Sequence, residues 1–199
     1  MAFYEDGIEN KALKTQIFSE RGIGAIMHFA GSIIVTESVE KPLNYYRNNT
    51  VNSHGLVTTA IAAGIRHFIF SSTAVVCGNP TAIPIGETHP TAPINPYGRS
   101  KLMTEMMLAD TAEAHVFNFC ALRYFNVAGA DPDLRTGQST AGATHLIEVA
   151  VEAALGKRDY VAVYGTDYDA ADGTGVRGTF GSGQRKCIYP ARAEMAAAP

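Results

Sequence analysis

The feature that most constrains the fold is an alternation of short apolar runs with longer segments of helical periodicity. Three runs have the length and residue types of buried strands: 24–30, 67–72 and 117–123. The two segments between them, 40–63 and 97–114, have the periodicity of helices. This order, with nearly continuous apolar strands, is typical of a parallel sheet covered on both faces. The sequence therefore predicts an α/β, Rossmann-like doubly wound sheet in which these three strands are adjacent and parallel.

The remaining predicted elements rest on weaker sequence patterns. Residues 143–155 are predicted to form a further helix, and residues 161–164 a short fourth strand. Residues 178–199 show no sustained periodicity and are expected to be an irregular tail.

Composition excludes several classes of protein. The 199 residues are 46% apolar and 18% charged with a net charge of −3, which suits a folded core and argues against disorder or a nucleic-acid partner. No apolar run approaches the ~20 residues of a membrane span, and the first residues do not resemble a signal peptide. The three cysteines form no pair or cluster at metal-ligand spacing, so we expect no metal and a cytoplasmic location.

Candidate binding residues follow the predicted strands. The carboxyl ends of the three strands are Phe29-Ala30-Gly31, Ser71-Ser72-Thr73 and Tyr124-Phe125-Asn126. Ligands of open parallel sheets bind at the carboxyl ends of the strands. The sequence therefore predicts a binding crevice at this edge.

The strongest chemical motif is Tyr97-Gly98-Arg99-Ser100-Lys101 at the start of the second helix. Tyr97 and Lys101 share a helical face, and a nearby ammonium lowers the pKa of a phenol, which makes it a usable base. A hydroxyl at a strand end, such as that of Thr73, could hydrogen-bond the same substrate oxygen. The alternative for either feature alone is structural: a solvated lysine at a helix start, or a strand ending in turn-favouring residues.

Longer stretches carry a resemblance to a known family. They include His28-Phe29-Ala30-Gly31, Phe68-Ile69-Phe70-Ser71-Ser72-Thr73, Pro96-Tyr97-Gly98-Arg99-Ser100-Lys101 and Leu122-Arg123-Tyr124-Phe125-Asn126. From about Phe3 to Arg177 the chain resembles the extended short-chain dehydrogenase/reductases of the NAD-dependent epimerase/dehydratase family, and among them most closely the UDP-glucose 4-epimerases. The resemblance implies an NAD-dependent isomerase that interconverts UDP-glucose and UDP-galactose by transient oxidation at C4, with full-length members forming homodimers in some cases.

The resemblance also implies roles for individual residues. Tyr97 would take the proton of the sugar 4-hydroxyl, Thr73 would hydrogen-bond that oxygen, and Lys101 would tune Tyr97 and hold the nicotinamide ribose. The implied NAD-binding residues are Phe29, Ala30, Gly31, Asn48, Ser71, Ser72, Lys101 and Tyr124. The implied UDP-sugar-binding residues are Thr73, Tyr97, Phe125, Asn126 and Arg177. Ordinary core packing is the alternative for Phe29 and Phe125, and surface polarity for Asn48.

The chain also departs from the family. It lacks the family's opening strand, its Gly-x-x-Gly-x-x-Gly turn and the acidic residue on the second strand, and the resemblance ends at Arg177. Cys77 stands where members of the family carry tyrosine, and Ile33 stands where some members carry lysine. We therefore expect residues 1–177 to be a truncated NAD-binding domain with the start of a substrate lobe. We also expect weak NAD binding and little or no epimerase activity by this chain, and an unpaired sheet edge at residues 24–30.

Two alternatives remain open on this evidence. A nucleotide-sugar 4,6-dehydratase shares much of the pattern, but those enzymes carry an acidic pair after the strand-end threonine, where this chain has Ala74-Val75. The other alternative is a non-catalytic remnant that at most binds a sugar nucleotide.

Overall fold

The computed structural model describes residues 2–133, 135–137, 142, 144–171, 173–175, 179–181 and 189–190. Two compact units are present: Met1–Tyr124 together with Cys187–Pro199, and Phe125–Lys186. The units divide after Tyr124, whereas the boundary predicted between residues 177 and 178 rests on family resemblance alone and stays a prediction.

The first unit contains a four-stranded sheet. Its strands are β1 (Ala25–His28), β2 (His67–Thr73), β3 (Asn118–Tyr124) and, following the short strands β4 (Asn126–Ala128) and β5 (Thr179–Gly181) of the second unit, β6 (Tyr189–Pro190). The order is β1-β2-β3-β6. β1 pairs parallel with β2, and β2 pairs parallel with β3, so the prediction of three adjacent parallel strands is confirmed.

Two strands fall in the stretch that was expected to be irregular. β6 pairs antiparallel with β3, and β5 pairs parallel with β4. The expectation of an irregular tail therefore does not hold for these five residues. Strands of two or three residues are too short to show a period, and their partners are far away in sequence.

Helices precede and follow the strands. They are α1 (Lys11–Glu20), α2 (Val35–Glu40), α3 (Pro42–Tyr45), α4 (Asn52–Ala62) and α5 (Pro96–Ala114) in the first unit, and α6 (Leu146–Ala154) in the second. The helix predicted over 40–63 is divided, because Lys41 leaves helical geometry at φ −129° and Pro42 starts a new helix. A π-helical segment, Tyr46–Val51, joins α3 to α4, and Gly64 follows at φ +72°, in agreement with the predicted stop.

The core of the first unit lies between β2 and the helices α4 and α5. It contains Leu56, Val57, Phe68, Phe70, Leu108, Phe117 and Ala121. Phe68 and Phe70 alternate along β2 and so point to the same face of the sheet. Burying a phenylalanine stabilises a fold by ~1.5–3 kcal/mol, so this face fixes which side of β2 the helices cover.

The edge of the sheet at β1 carries apolar side chains. Among the described residues β1 pairs only with β2, so it is an edge strand, as predicted. Met27 and Phe29 on and after this strand are 61% and 55% exposed. Phe29 is therefore not a core residue.

The second unit contains α6 and the β4–β5 pair. The fourth strand predicted at 161–164 is wrong, because these residues adopt no regular structure. Val163 and Tyr164 are 67% and 88% exposed, so no partner strand or core selects an extended conformation there. In the described part of the chain, no helix has the length and apolarity to cross a membrane, and no group of three metal-ligating side chains occurs.

Candidate active site

The start of α5 positions the first candidate side chain. Pro96 occupies the first helical turn, and the Asn95 side chain accepts a hydrogen bond from the Gly98 amide at 2.8 Å. This cap sets where the helix begins and so where Tyr97 projects. Tyr97 is 8% exposed, and its ring packs edge-on against that of Tyr45 at 6.4 Å.

Thr73 meets Tyr97 at the carboxyl end of β2. The Thr73 side chain interacts with that of Tyr97 and lowers the pKa of its phenol, and the Thr73 hydroxyl also accepts a hydrogen bond from the Val75 amide at 3.2 Å. Thr73 is buried at 5% exposure. The structure thus brings together the two hydroxyls that the sequence separates by a proline-rich loop.

The direction of the Tyr97 pKa differs from the sequence prediction. Burial raises the pKa of Tyr97, and the hydrogen bond with Thr73 lowers it by less. The expectation that Lys101 makes Tyr97 more acidic is wrong for this structure. The physical reason is desolvation, which disfavours the phenolate in a site that is nearly closed to water.

Lys101 lies one turn along α5 with its ammonium turned toward β2. Its Nζ donates to the Ser71 carbonyl at 3.0 Å and stands 4.9 Å from the centre of the Phe70 ring. Lys101 is 2% exposed, and burial lowers its pKa to about 8. A buried ammonium at the carboxyl edge of β2 is a ready donor for a ligand hydroxyl.

His28 closes the base of this region. Its Nε2 is 2.8 Å from the Ser53 hydroxyl, and its ring packs against Phe70. Burial and, to a lesser extent, the charge of Lys101 lower the pKa of His28 to about 4. His28 is therefore neutral near pH 7 and adds no second positive charge beside Lys101.

The turn after β1 depends on a residue that sequence analysis missed. Asn49, which is 1% exposed, accepts a hydrogen bond from the Ser32 amide at 2.7 Å and donates to the Ser32 carbonyl and the Ser100 hydroxyl, both at 3.0 Å. Gly31 has φ +153°, and a Cβ there would lie 2.8 Å from Asn49 Oδ1 and 3.3 Å from Lys101 Nζ. A polar residue at a buried helical position is a weak signal, because only the folded structure shows what it contacts.

Asn48 and Ser72, both predicted to bind NAD, have protein partners in the structure. Asn48 Nδ2 donates to the Ser32 hydroxyl at 2.8 Å. The Ser72 hydroxyl donates to Glu105, and the Ser72 side chain is buried. Glu105 in turn pairs with Arg123, and neither of these charged residues was singled out from the sequence.

The remaining predicted residues are placed as follows. Ser71 and Tyr124 lie at the ends of β2 and β3, where Tyr124 is the register partner of Thr73. Ala30 precedes Gly31 in the turn after β1 and is exposed. Phe125 and Asn126 belong to the second unit, and Arg177 lies outside the described residues.

Comparison with known proteins gives consistent results. The family model for the NAD-dependent epimerase/dehydratase family matches residues 2–178. A curated UDP-glucose 4-epimerase of Azospirillum brasilense is 56% identical over 173 residues, which are 87% of this chain and 50% of that protein. The resemblance to UDP-glucose 4-epimerases is therefore confirmed.

Solved structures agree with this result. The UDP-glucose 4-epimerase of Brucella ovis in complex with NAD is 42% identical, with a TM-score of 0.86 over 90% of this chain and 55% of that one. The enzyme of Bifidobacterium longum in complex with NAD+ and UDP is 39% identical, with a TM-score of 0.85 over 89% and 54%. These matches confirm the predicted Rossmann-like fold, and the chain spans about half the length of the relatives it matches. With a family model that matches most of its length, this chain belongs to the NAD-dependent epimerase/dehydratase family.

Proposed function

We propose that this chain carries the acid–base site of an NAD-dependent UDP-glucose 4-epimerase, which interconverts UDP-glucose and UDP-galactose. The observation that carries the proposal is the interacting, buried pair Thr73–Tyr97 at the carboxyl end of β2, with the Lys101 ammonium one helical turn away. Relatives at 56% and 41% identity bear that enzyme's name, which supports the choice of reaction.

The residues present fit the nicotinamide-ribose end of NAD. Gly31 keeps the space beside Lys101 Nζ open, because a Cβ there would approach Nζ to 3.3 Å. Lys101 would donate to the ribose hydroxyls, and the turn at Phe29, Ala30 and Gly31 would pack against the cofactor. Ser71 and Tyr124, at neighbouring strand ends, would complete this wall.

The hydroxyls of Tyr97 and Thr73 would both contact the 4-oxygen of the sugar. Tyr97 would take the proton of the 4-hydroxyl as C4 is oxidised, and would return it when the sugar is reduced on its other face. Thr73 would hold the same oxygen within reach of Tyr97. Bound NAD supplies reversible acceptance of the C4 hydride. Burial raises the pKa of Tyr97 and so favours the phenol, which is the form that returns the proton. The phenolate that takes the proton would have to form first, and the Lys101 ammonium and the positive charge of bound NAD would favour it.

The details of the β2 end favour epimerase over 4,6-dehydratase. Residues Ala74–Cys77 form a 3₁₀ turn, and Thr73 bonds back to the Val75 amide. Water elimination needs an acid and a base at C5 and C6, and this turn offers only apolar side chains there.

UDP-sugar contacts are proposed for the second unit. Phe125 and Asn126 would face the nucleotide sugar, with Asn126 donating to its diphosphate, and Arg177 would pair with the same diphosphate. These three assignments rest on the matched family motifs.

Two further proposals concern the oligomeric state and the cellular location of the chain. We propose a homodimer through α5 and the π-helical segment before α4, supported by exposed apolar side chains at Val51, Met103 and Met106. Light scattering of the wild type and of Met106→Glu would test it, and a monomeric wild type would refute it. We also propose a cytoplasmic location, supported by cysteine thiols at Cys77 and Cys120.

The reaction is tested by incubating the purified chain with UDP-galactose and NAD and detecting UDP-glucose. Tyr97→Phe is the matched variant, since it removes one oxygen and keeps the ring contact with Tyr45. We expect at most slow turnover in the wild type, because the sequence predicts weak NAD binding, and a further loss of ~10²–10⁴-fold in the variant. A folded wild-type chain that shows neither turnover nor NAD binding would favour the remnant alternative instead.

A further inference from the structure

A buried cluster of three polar side chains joins two strands and a helix next to the candidate active site. Arg123 Nη2 lies 2.7 Å from Glu105 Oε2, and Arg123 Nε lies 3.2 Å from each carboxylate oxygen. The Ser72 hydroxyl donates to Glu105 Oε1. Ser72, Glu105 and Arg123 are 3%, 7% and 9% exposed. We call these three residues the Ser72–Glu105–Arg123 triad; it ties β2, α5 and β3 together.

The triad lies next in sequence to the active-site hydroxyls. Ser72 directly precedes Thr73, and Arg123 is the register partner of Ser72 across the β2–β3 pair. Glu105 follows Tyr97 and Lys101 on the same buried face of α5, at i+8 and i+4. At a rise of ~1.5 Å per residue, Glu105 is about 12 Å along the helix from Tyr97.

Such a contact fixes a position in a way that apolar packing does not. The hydrophobic effect is non-directional, so apolar side chains between α5 and β2 tolerate a sliding of the helix. Charge-assisted hydrogen bonds to a carboxylate have narrow distances and angles, and a slide of 1 Å would break them. A helix transmits such a slide to its other residues, so Tyr97 would move with Glu105.

We propose that the Ser72–Glu105–Arg123 triad is a positioning device: it sets where α5 lies along β2 and thereby holds the Tyr97 hydroxyl against that of Thr73. Its catalytic consequence rests on the function proposed above for Tyr97. Its structural consequence does not, and is measurable on the chain without any turnover.

A purely stabilising role predicts a different outcome. Replacing a buried ion pair by apolar residues of similar size is often neutral or stabilising. The combined variant Ser72→Ala, Glu105→Leu, Arg123→Leu removes all three polar groups of the triad together, so that none of the three is left without the other two. A stabilising role alone would leave the Tyr97–Thr73 contact intact in this variant, whereas a positioning role would not.

The test is solution NMR of the chain with labelled tyrosine and threonine. The cross-peak between the Tyr97 ring and the Thr73 methyl, assigned with Tyr97→Phe, reports the contact directly. In the combined variant we expect this cross-peak to lose more than half its intensity. The titration midpoint of Tyr97 should rise at the same time, because the hydrogen bond with Thr73 lowers its pKa. Glu105→Gln, which keeps the size, provides the same readings if the combined variant does not fold.

Leu108→Ala is the matched control, because Leu108 lies on α5 close to Glu105 and is fully buried in the apolar core. We expect it to lower the melting temperature and leave the cross-peak unchanged. Where turnover is measurable, the combined variant should lose at least tenfold in kcat with little change in KM. A folded combined variant that keeps the full cross-peak would overturn the proposal, as would loss of the cross-peak in Leu108→Ala.

Discussion

Replacing Asn49 by alanine should lower the free energy of unfolding by about 2–3 kcal/mol. The side chain is 1% exposed and makes three hydrogen bonds, to the Ser32 amide, the Ser32 carbonyl and the Ser100 hydroxyl. A hydrogen bond contributes a net ~0.5–1.5 kcal/mol, and a buried group left without its partner costs ~1–3 kcal/mol. The Ser100 hydroxyl also donates to the Tyr97 carbonyl at 2.7 Å, so the main loss falls on the two bonds to Ser32.

Urea unfolding followed by circular dichroism measures this change. With a slope of ~1–3 kcal/mol per molar urea, the midpoint should fall by about 1 M. Asn52→Ala is the matched control, because Asn52 is half-buried and makes one long side-chain bond of 3.4 Å to Asn48. We expect its cost to stay below about 0.5 kcal/mol. Equal costs for the two variants would refute the assignment of Asn49 as the support of the turn after β1.

Three further outcomes test other parts of the structure by the same unfolding assay. Gly31→Ala should cost about 1–3 kcal/mol because of its φ of +153° and the 2.8 Å approach to the asparagine oxygen, whereas Gly22→Ala, with open space around it, should cost almost nothing. His28 has a pKa of about 4 in the fold and an ordinary value near 6.5 when unfolded, so the unfolded chain binds the extra proton between these pH values. The free energy of unfolding should therefore fall by up to about 3 kcal/mol as the pH drops from 6.5 to 4. His28→Gln should flatten this pH dependence, and an unchanged profile would contradict the argument that burial lowers the pKa of His28. Glu105→Ala should cost about 3–5 kcal/mol because it removes the buried carboxylate that pairs with Arg123. Lys41→Gln, in an exposed pair of 3.6 Å with Glu37, should cost less than about 0.5 kcal/mol, and similar values for the two would contradict the burial of the first pair.

Local pattern in the sequence predicted the class of fold and the central residues of the candidate site. The three parallel strands follow from short, nearly continuous apolar runs, and the helix after residue 96 follows from a period of about 3.6 residues; both are properties of short windows. Tyr97, Lys101 and Thr73 were identified from motifs within single elements, and the structure places Thr73 against Tyr97. The fourth strand predicted at 161–164 failed, because a short apolar run becomes a strand only where a neighbouring strand or a core accepts it.

Only the tertiary structure decided what surrounds those residues. Asn49 and the Glu105–Arg123 pair contact residues far away in sequence, and no local period encodes such contacts. The rise in the pKa of Tyr97 has the same origin. From the sequence, a lysine four residues away predicts a lower value, but the pKa depends on how much water the fold removes from the phenol, and burial outweighs the opposing hydrogen bond with Thr73. Periodicity in the chain thus determined which elements form, and desolvation and long-range contacts determined the chemistry of the side chains that they bring together.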